Sequence, residues 1–176
     1  MKPQHVVIDG YNLLGAMTPG VLAWDEAKRE TLIVRLGLYG QRIGCPVTVV
    51  FDAWSRTGQS RQVSHRAGVT VQYSQGGEKA DQVIQEWVRS RTGECVVVSS
   101  DSEVLAVAKA HGAFTIRSET FAARLKEKST VGRSPSGARK GRGDDDENPS
   151  PSKSKKGNPR KLPKKVRERN RIMRKF

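Results

Sequence analysis

Three short apolar runs, each closed by an aspartate, constrain this chain more than any other feature. Val6-Val7-Ile8 ends in Asp9, Val47–Phe51 reads Val-Thr-Val-Val-Phe and ends in Asp52, and Cys-Val-Val-Val-Ser at 95–99 leads into Ser100 and Asp101. Unbroken β-branched runs make strands buried on both faces, the habit of a parallel sheet covered by helices. Ligands of such a sheet sit outside the carboxyl ends of its strands, so acids there stand where a charged ligand is bound. Asp9 leads the set. It lies in the stretch 5–12, His-Val-Val-Ile-Asp-Gly-Tyr-Asn. Gly10 permits a backbone turn close to the carboxylate, and Asn12 returns an amide able to hold that carboxylate or a water.

The remaining segments fill in an alternating pattern. Residues 13–22, with Pro19 and Gly20, read as a loop. Asp25 caps a helix whose Ile33, Leu36, Tyr39, Gly40 and Ile43 share one face and which Gly44 and Pro46 end. Residues 53–68 show no apolar periodicity and form a basic loop carrying Arg56, Arg61, His65 and Arg66 at the edge that holds Asp52. Val69–Tyr73 is a strand. Gly76 and Gly77 open a helix over 78–91, with Ala80, Val83, Ile84, Trp87 and Val88 inward and Glu78 and Asp81 in its first turn. A short helix to His111, a strand at 113–116 and a helix at 118–128, with Phe121, Ala122 and Leu125 facing in, complete the body. The expectation is an α/β fold with a mostly parallel sheet of about five strands and helices on both faces.

Charge divides the chain. Residues 1–128 carry 16 Lys+Arg against 13 Asp+Glu, and residues 129–176 carry 16 against 5, which places most of the net charge of +14 in the last 48 residues. Five of the eight prolines lie in that segment with few large apolar residues, so 129–176 is expected to be a disordered basic tail beside a folded domain at 1–128. Its end, 160–176, includes Lys164, Lys165, Arg167, Arg169 and Arg171, with only Leu162, Val166, Met173 and Phe176 as a thin apolar stripe. Such a tail expects an anionic polymer, nucleic acid before a membrane surface. Cys45 and Cys95 read as buried thiols. The opening residues have no signal-peptide run and no 18 apolar residues follow one another, so the expected location is the cytoplasm, with no membrane partner. Nothing in the pattern specifies an oligomer.

Asp9, Asp52 and Asp101 at three strand ends, with Asp81 at a helix start on the same edge, would converge several negative charges. Two carboxylates about 5 Å apart at an effective dielectric near 20 repel by roughly 3 kcal/mol, so the cluster must take up protons or cations. Oxygen ligands without accompanying Cys or His point to Mg²⁺ or Mn²⁺. On a basic, polymer-binding protein that chemistry suggests metal-assisted phosphodiester hydrolysis. Helix capping is the competing explanation. Ser100 with Glu103 fits a capping box that would make Asp101 an ordinary first-turn acid, and Glu78 and Asp81 can answer a helix dipole. Tyr11 and Trp54 are candidates for stacking on bases, packing being the alternative. His5 and His111 read as structural, and His65, among arginines, as a phosphate contact.

Val-Ile-Asp-Gly-Tyr-Asn at 7–12, Val-Val-Phe-Asp-Ala at 49–53, Gly-Glu-Lys-Ala-Asp at 77–81 and Ser-Ser-Asp at 99–101 together resemble, in order and spacing, the YacP-like branch of the NYN-domain proteins. The resemblance covers roughly residues 5–128 and leaves the tail outside. It implies a PIN-like three-layer fold and a Mg²⁺-dependent endoribonuclease, some members acting on messenger RNA at the ribosome. Position by position it implies Asp9, Asp81 and Asp101 as metal-site carboxylates, Asn12 as their support and Asp52 as a fourth acid. The family often has a further acid directly after Ala-Asp; here Gln82 stands there, which would weaken a second metal site. The competing reading is an RNA- or ribosome-binding module with the same fold and little or no cleavage. A phosphoacceptor receiver domain fits poorly, because Gly10 and Tyr11 follow Asp9 where that fold wants an acidic pair and Arg117 stands where it wants a lysine.

Overall fold

A computed structural model of the protein describes residues 4–20, 25–53, 60–91 and 95–126, together with the backbone of 127–130. The strands are β1 (His5–Asp9), β2 (Val47–Phe51), β3 (Gln62–Arg66), β4 (Val69–Tyr73), β5 (Cys95–Val98) and β6 (Phe114–Ile116). The helices are α1 (Gly10–Met17), α2 (Glu26–Ile43), α3 (Ala80–Arg89), α4 (Ser102–Ala110) and α5 (Ser118–Thr130). One six-stranded sheet runs in the order β3-β4-β2-β1-β5-β6, parallel throughout except for the β3–β4 pair.

Strand alternation sorts the core into two layers. Val6, Ile8, Val49, Phe51, Val96 and Val98 pack beneath α1, α2 and α5, where they meet Leu13, Leu36 and Phe121. Val7, Val50 and Val97 face α3 and α4 and meet Val83, Ile84 and Val104. Phe121 is fully buried and packs edge-on against Tyr39 at 5.1 Å, so its loss to alanine would cost about 3–5 kcal/mol. Asp25 caps α2 by accepting the Lys28 backbone N–H at 3.1 Å, and Gly44 ends that helix in the left-handed conformation, as the sequence predicts. Cys45 and Cys95 are buried thiols that form no disulfide.

Two segments differ from expectation. Residues 10–17 are helical and not a loop: Leu13 and Leu14 bury against the sheet, and the Asp9 carboxylate caps the helix by accepting the Asn12 backbone N–H at 3.1 Å. Gly10 therefore supplies no turn. It is needed for space, because a Cβ there would lie 2.3 Å from the Phe51 ring. Residues 62–66 form the sixth strand, not a basic loop. At the sheet edge β3 is solvated on both faces, so Gln-Val-Ser-His-Arg shows no alternation to read. It joins β4 through Ala67 (φ 48°) and Gly68 (φ 78°), the two positive-φ residues that a tight hairpin of this hand demands. α2 seats against that turn at Gly37, where a Cβ would come within 1.9 Å of the Ala67 carbonyl oxygen.

Candidate functional site

The chain steps from β1 to β2 and on to β4 on one side, then crosses to β5 on the other. The crevice at the carboxyl ends of β1 and β5 is thus the switch point where ligands of open α/β sheets bind. Asp9 closes β1 there. Ile8 pairs with Val98, so the register sets Ser99 beside Asp9, and the alternation that turns Val7 toward α3 and α4 carries Asp9 to the same face. Asp101 is the N-cap of α4 itself, accepting the backbone N–H groups of Glu103 (2.6 Å) and Val104 (3.3 Å) through one oxygen. The capping box read from Ser100 does not form, since the Ser100 hydroxyl donates to Glu119 at 3.0 Å. Asp52 accepts the Ala80 backbone N–H at 2.5 Å, which ties the end of β2 to the start of α3 and brings Asp81 into the cluster.

Asp9 is only 3 % exposed, and its pKa is pushed up to about 6. Loss of hydration is the main cause, opposed by hydrogen bonds from Asn12 and Ser99 and reinforced by the charge of Asp81. Asn12 grips both carboxylate oxygens, one through its backbone N–H and the other through its side-chain amide. Asp81 is raised too, first by burial and then by the charges of Asp101 and Asp52. All four acids therefore share one electrostatic environment.

Ser99, to which the sequence reading gave no role, is the hub. Fully buried, its hydroxyl donates to Asp9 at 3.2 Å and accepts from the Asn12 amide (3.2 Å) and the Asp101 backbone N–H (3.0 Å). The signal was the strand register: a serine one step past Val98 must neighbour the residue one step past Ile8. Among the described residues no three acids, histidines or cysteines stand close enough to hold one ion between them.

Arg61 makes a two-pronged ion pair with Glu78 and reaches Glu86, and Arg66 pairs with Glu30, so both guanidinium groups already have carboxylate partners. Exposed pairs of this kind are worth little and leave the arginines open to exchange. His65 is on exposed β3, with its Nδ1 3.2 Å from the Thr70 hydroxyl. Glu78 lies before α3, engaged by Arg61 and by the Gln75 backbone N–H at 3.1 Å. Tyr11 packs edge-on against Phe51 at 5.1 Å and accepts from Arg29 at 3.1 Å. Gln82 accepts the Lys79 backbone N–H at 3.2 Å and so helps cap α3. His5 bonds Thr48 at 2.8 Å, and His111 lies 2.9 Å from the Val107 carbonyl oxygen at the end of α4. Trp54, Arg56, Lys164, Lys165, Arg167, Arg169 and Arg171 fall outside the described residues. No helix among the described residues is long and apolar enough to cross a membrane.

The model of the YacP-like NYN domain family matches residues 6–174, so the match runs on through the basic segment and does not stop near residue 128. The chain is similar to the crystal structure of a tryptophan-to-leucine variant of Rae1 (YacP) from Bacillus subtilis, with 25% identity and a TM-score of 0.59, covering 74% of this chain and 79% of that one. A second crystal structure of Rae1 (YacP) from Bacillus subtilis, 22% identical with a TM-score of 0.54 over 72% and 75% of the two chains, agrees in fold. No curated protein sequence matches the chain.

Proposed function

The chain belongs to the YacP-like NYN domain family, a branch of the PIN-like nucleases, and from that premise we propose that it is a metal-dependent endoribonuclease working in the cytoplasm. The observation that carries the proposal is the buried Asp9 carboxylate, held by three donors yet pushed up to about 6, beside an Asp81 raised by its acidic neighbours. A fold gains nothing from crowding carboxylates at a ligand crevice unless a cation relieves them.

The donors on offer are all oxygens, which suits Mg²⁺ or Mn²⁺ and not zinc. Mg²⁺ keeps several of its waters and needs only one or two carboxylates plus substrate phosphate, so separated acids suit it better than a closed protein cage would. One or two of Asp9, Asp81 and Asp101 would touch the ion and the rest would reach it through its waters, with Asp52 as an outer acid that also anchors α3. When bound, the ion supplies an acidified water and offsets charge on the phosphate. The chain's own residues do the rest. Asn12 and Ser99 fix the Asp9 carboxylate, and the α4 backbone fixes one Asp101 oxygen and leaves the other available. Burial of Asp9 limits the screening of that carboxylate by bulk water. Arg61, His65 and Arg66 at the β3 edge, Arg56, and the tail cations Lys164, Lys165, Arg167, Arg169 and Arg171 would hold the RNA backbone, with a ribosome-bound messenger RNA as one substrate.

One observation favours a second reading. Gln82 occupies the place of a further acid and is committed to helix capping, which suits an RNA- or ribosome-binding module without efficient cleavage. Incubating purified protein with total RNA and with ribosomes, in Mg²⁺ or in chelator, and mapping new 5′ ends decides between the two. Cleavage that chelation abolishes is the expected result; tight binding without new 5′ ends in Mg²⁺ would favour the second.

A further inference from the structure

On the flank of α3 that carries Gln82 and Gln85 lies an open polar cleft of about 580 Å³. The Gly76–Gly77 turn and the ion pair of Arg61 with Glu78 and Glu86 line it. The charged side chains lining it are Arg61, Arg89, Glu78 and Glu86, two of each sign. A cleft for phosphate would carry excess positive charge; this one is balanced and rich in amides, which suits an uncharged polar group.

The donors and acceptors narrow the ligand further. The Gln82 carbonyl oxygen accepts from the Lys79 backbone N–H, and the Gln85 carbonyl oxygen accepts from Arg89 at 3.3 Å. Both acceptors are therefore engaged within α3 and its entry, and the two NH₂ groups make no hydrogen bond among the described residues. They lie three positions apart, on one face of the helix. A pair of amide donors backed by a guanidinium matches carbonyl acceptors in the plane of a ring. Gln82 directly follows Asp81, so the near end of the cleft lies one residue along α3 from the acid cluster.

We propose that this cleft is a nucleobase subsite, in which Gln82 and Gln85 select guanine or uracil, the bases that present a carbonyl oxygen (O6 or O4) where adenine and cytosine carry an amino group, at a fixed position relative to the scissile phosphate. The inference rests on the ribonuclease reading for its consequence and on the cleft alone for its binding. Two measurements separate these. The first titrates isotope-labelled full-length protein with GMP, UMP, AMP, CMP and inorganic phosphate while following the side-chain amide resonances of Gln82 and Gln85. GMP or UMP should move both; resonances that stay still, or that move equally with inorganic phosphate, overturn the subsite whether or not the protein cleaves RNA. The second maps 5′ ends generated from a randomised RNA by wild type and by Gln85→Leu. Wild type should enrich G or U at one position by roughly tenfold, as one well-made pair of base contacts would, and the variant should lose that enrichment while still cutting. Wild-type cleavage with a preference unchanged in Gln85→Leu overturns the specificity role, whereas absence of all cleavage by wild type overturns the ribonuclease reading and leaves the titration to judge the cleft.

Discussion

Asp9 sits in metal-free protein at a cost set by its surroundings. Lifting a carboxyl from 3.8 to about 6 amounts to roughly 3 kcal/mol against the ionised form. Because the folded pKa is raised, the unfolded chain releases its proton first as pH climbs, so this group lowers stability between about pH 4 and pH 6 and the loss persists above. Asp9→Asn removes the effect. Its stability relative to wild type should improve by up to about 3 kcal/mol on going from about pH 4 to pH 7, less the cost of one reoriented hydrogen bond, while cleavage is abolished. Urea melts at the two pH values check this, and a difference between the proteins that does not change with pH would show Asp9 to be an ordinary loop acid. Ser99→Ala makes a separate case. It strips Asp9 of a donor that lowers its pKa and leaves the Asp101 N–H unpaired, so it should cost about 2 kcal/mol and move the acidic limb of the cleavage profile to higher pH. Asp9 and Asn12 stand out in the sequence because a strand ended there in an acid and an amide. Ser99 does not, since a serine after a strand looks like loop chemistry until the register of β1 against β5 is known.

The elements divide according to where their residues are buried. β1, β2 and β5 are buried on both faces and announce themselves as apolar runs, and α2 carries its own start and stop signals in Asp25 and Gly44. α1 is hidden by Gly10, Gly15, Pro19 and Gly20, which in isolation argue for a loop; tertiary contact of Leu13 and Leu14 and the Asp9 cap overrule them. β3 is hidden by exposure, because its register is set by a turn and not by a buried face. That turn carries a local strain. Ala67 holds a φ of 48°, a conformation glycine or asparagine adopts at less cost, so Ala67→Gly should stabilise the protein by about 1 kcal/mol by chemical denaturation. Gly37→Ala should do the reverse by a larger margin, since its methyl group would meet the Ala67 carbonyl and push α2 off the hairpin. If both variants melt like wild type, α2 and the β3–β4 turn are not in the tight contact described.

Across the whole molecule the electrostatics run in opposite senses, with acids gathered at the sheet's carboxyl edge and most of the net positive charge in residues 129–176. A polyanion is drawn to the second and repelled by the first unless a cation intervenes, so affinity and chemistry should be separable. The tail holds 16 of the 32 basic residues and none of the acids proposed to hold metal. Truncation after Thr130 should therefore leave the Mg²⁺-dependent cutting of a saturating short RNA close to that of the full chain, while affinity falls. The salt dependence is the more searching readout. With about six tail contacts to the phosphates of single-stranded RNA, each releasing about 0.7 of a counterion, the slope of log affinity against log salt should flatten by roughly four on truncation. The family match runs through residue 174, so the basic segment lies within the matched region. An unchanged slope would place the RNA contacts on the folded domain, at Arg61, His65 and Arg66, and the tail's charge would then need another partner; a flattened slope with lost cleavage at saturation would mean that the tail also shapes the site.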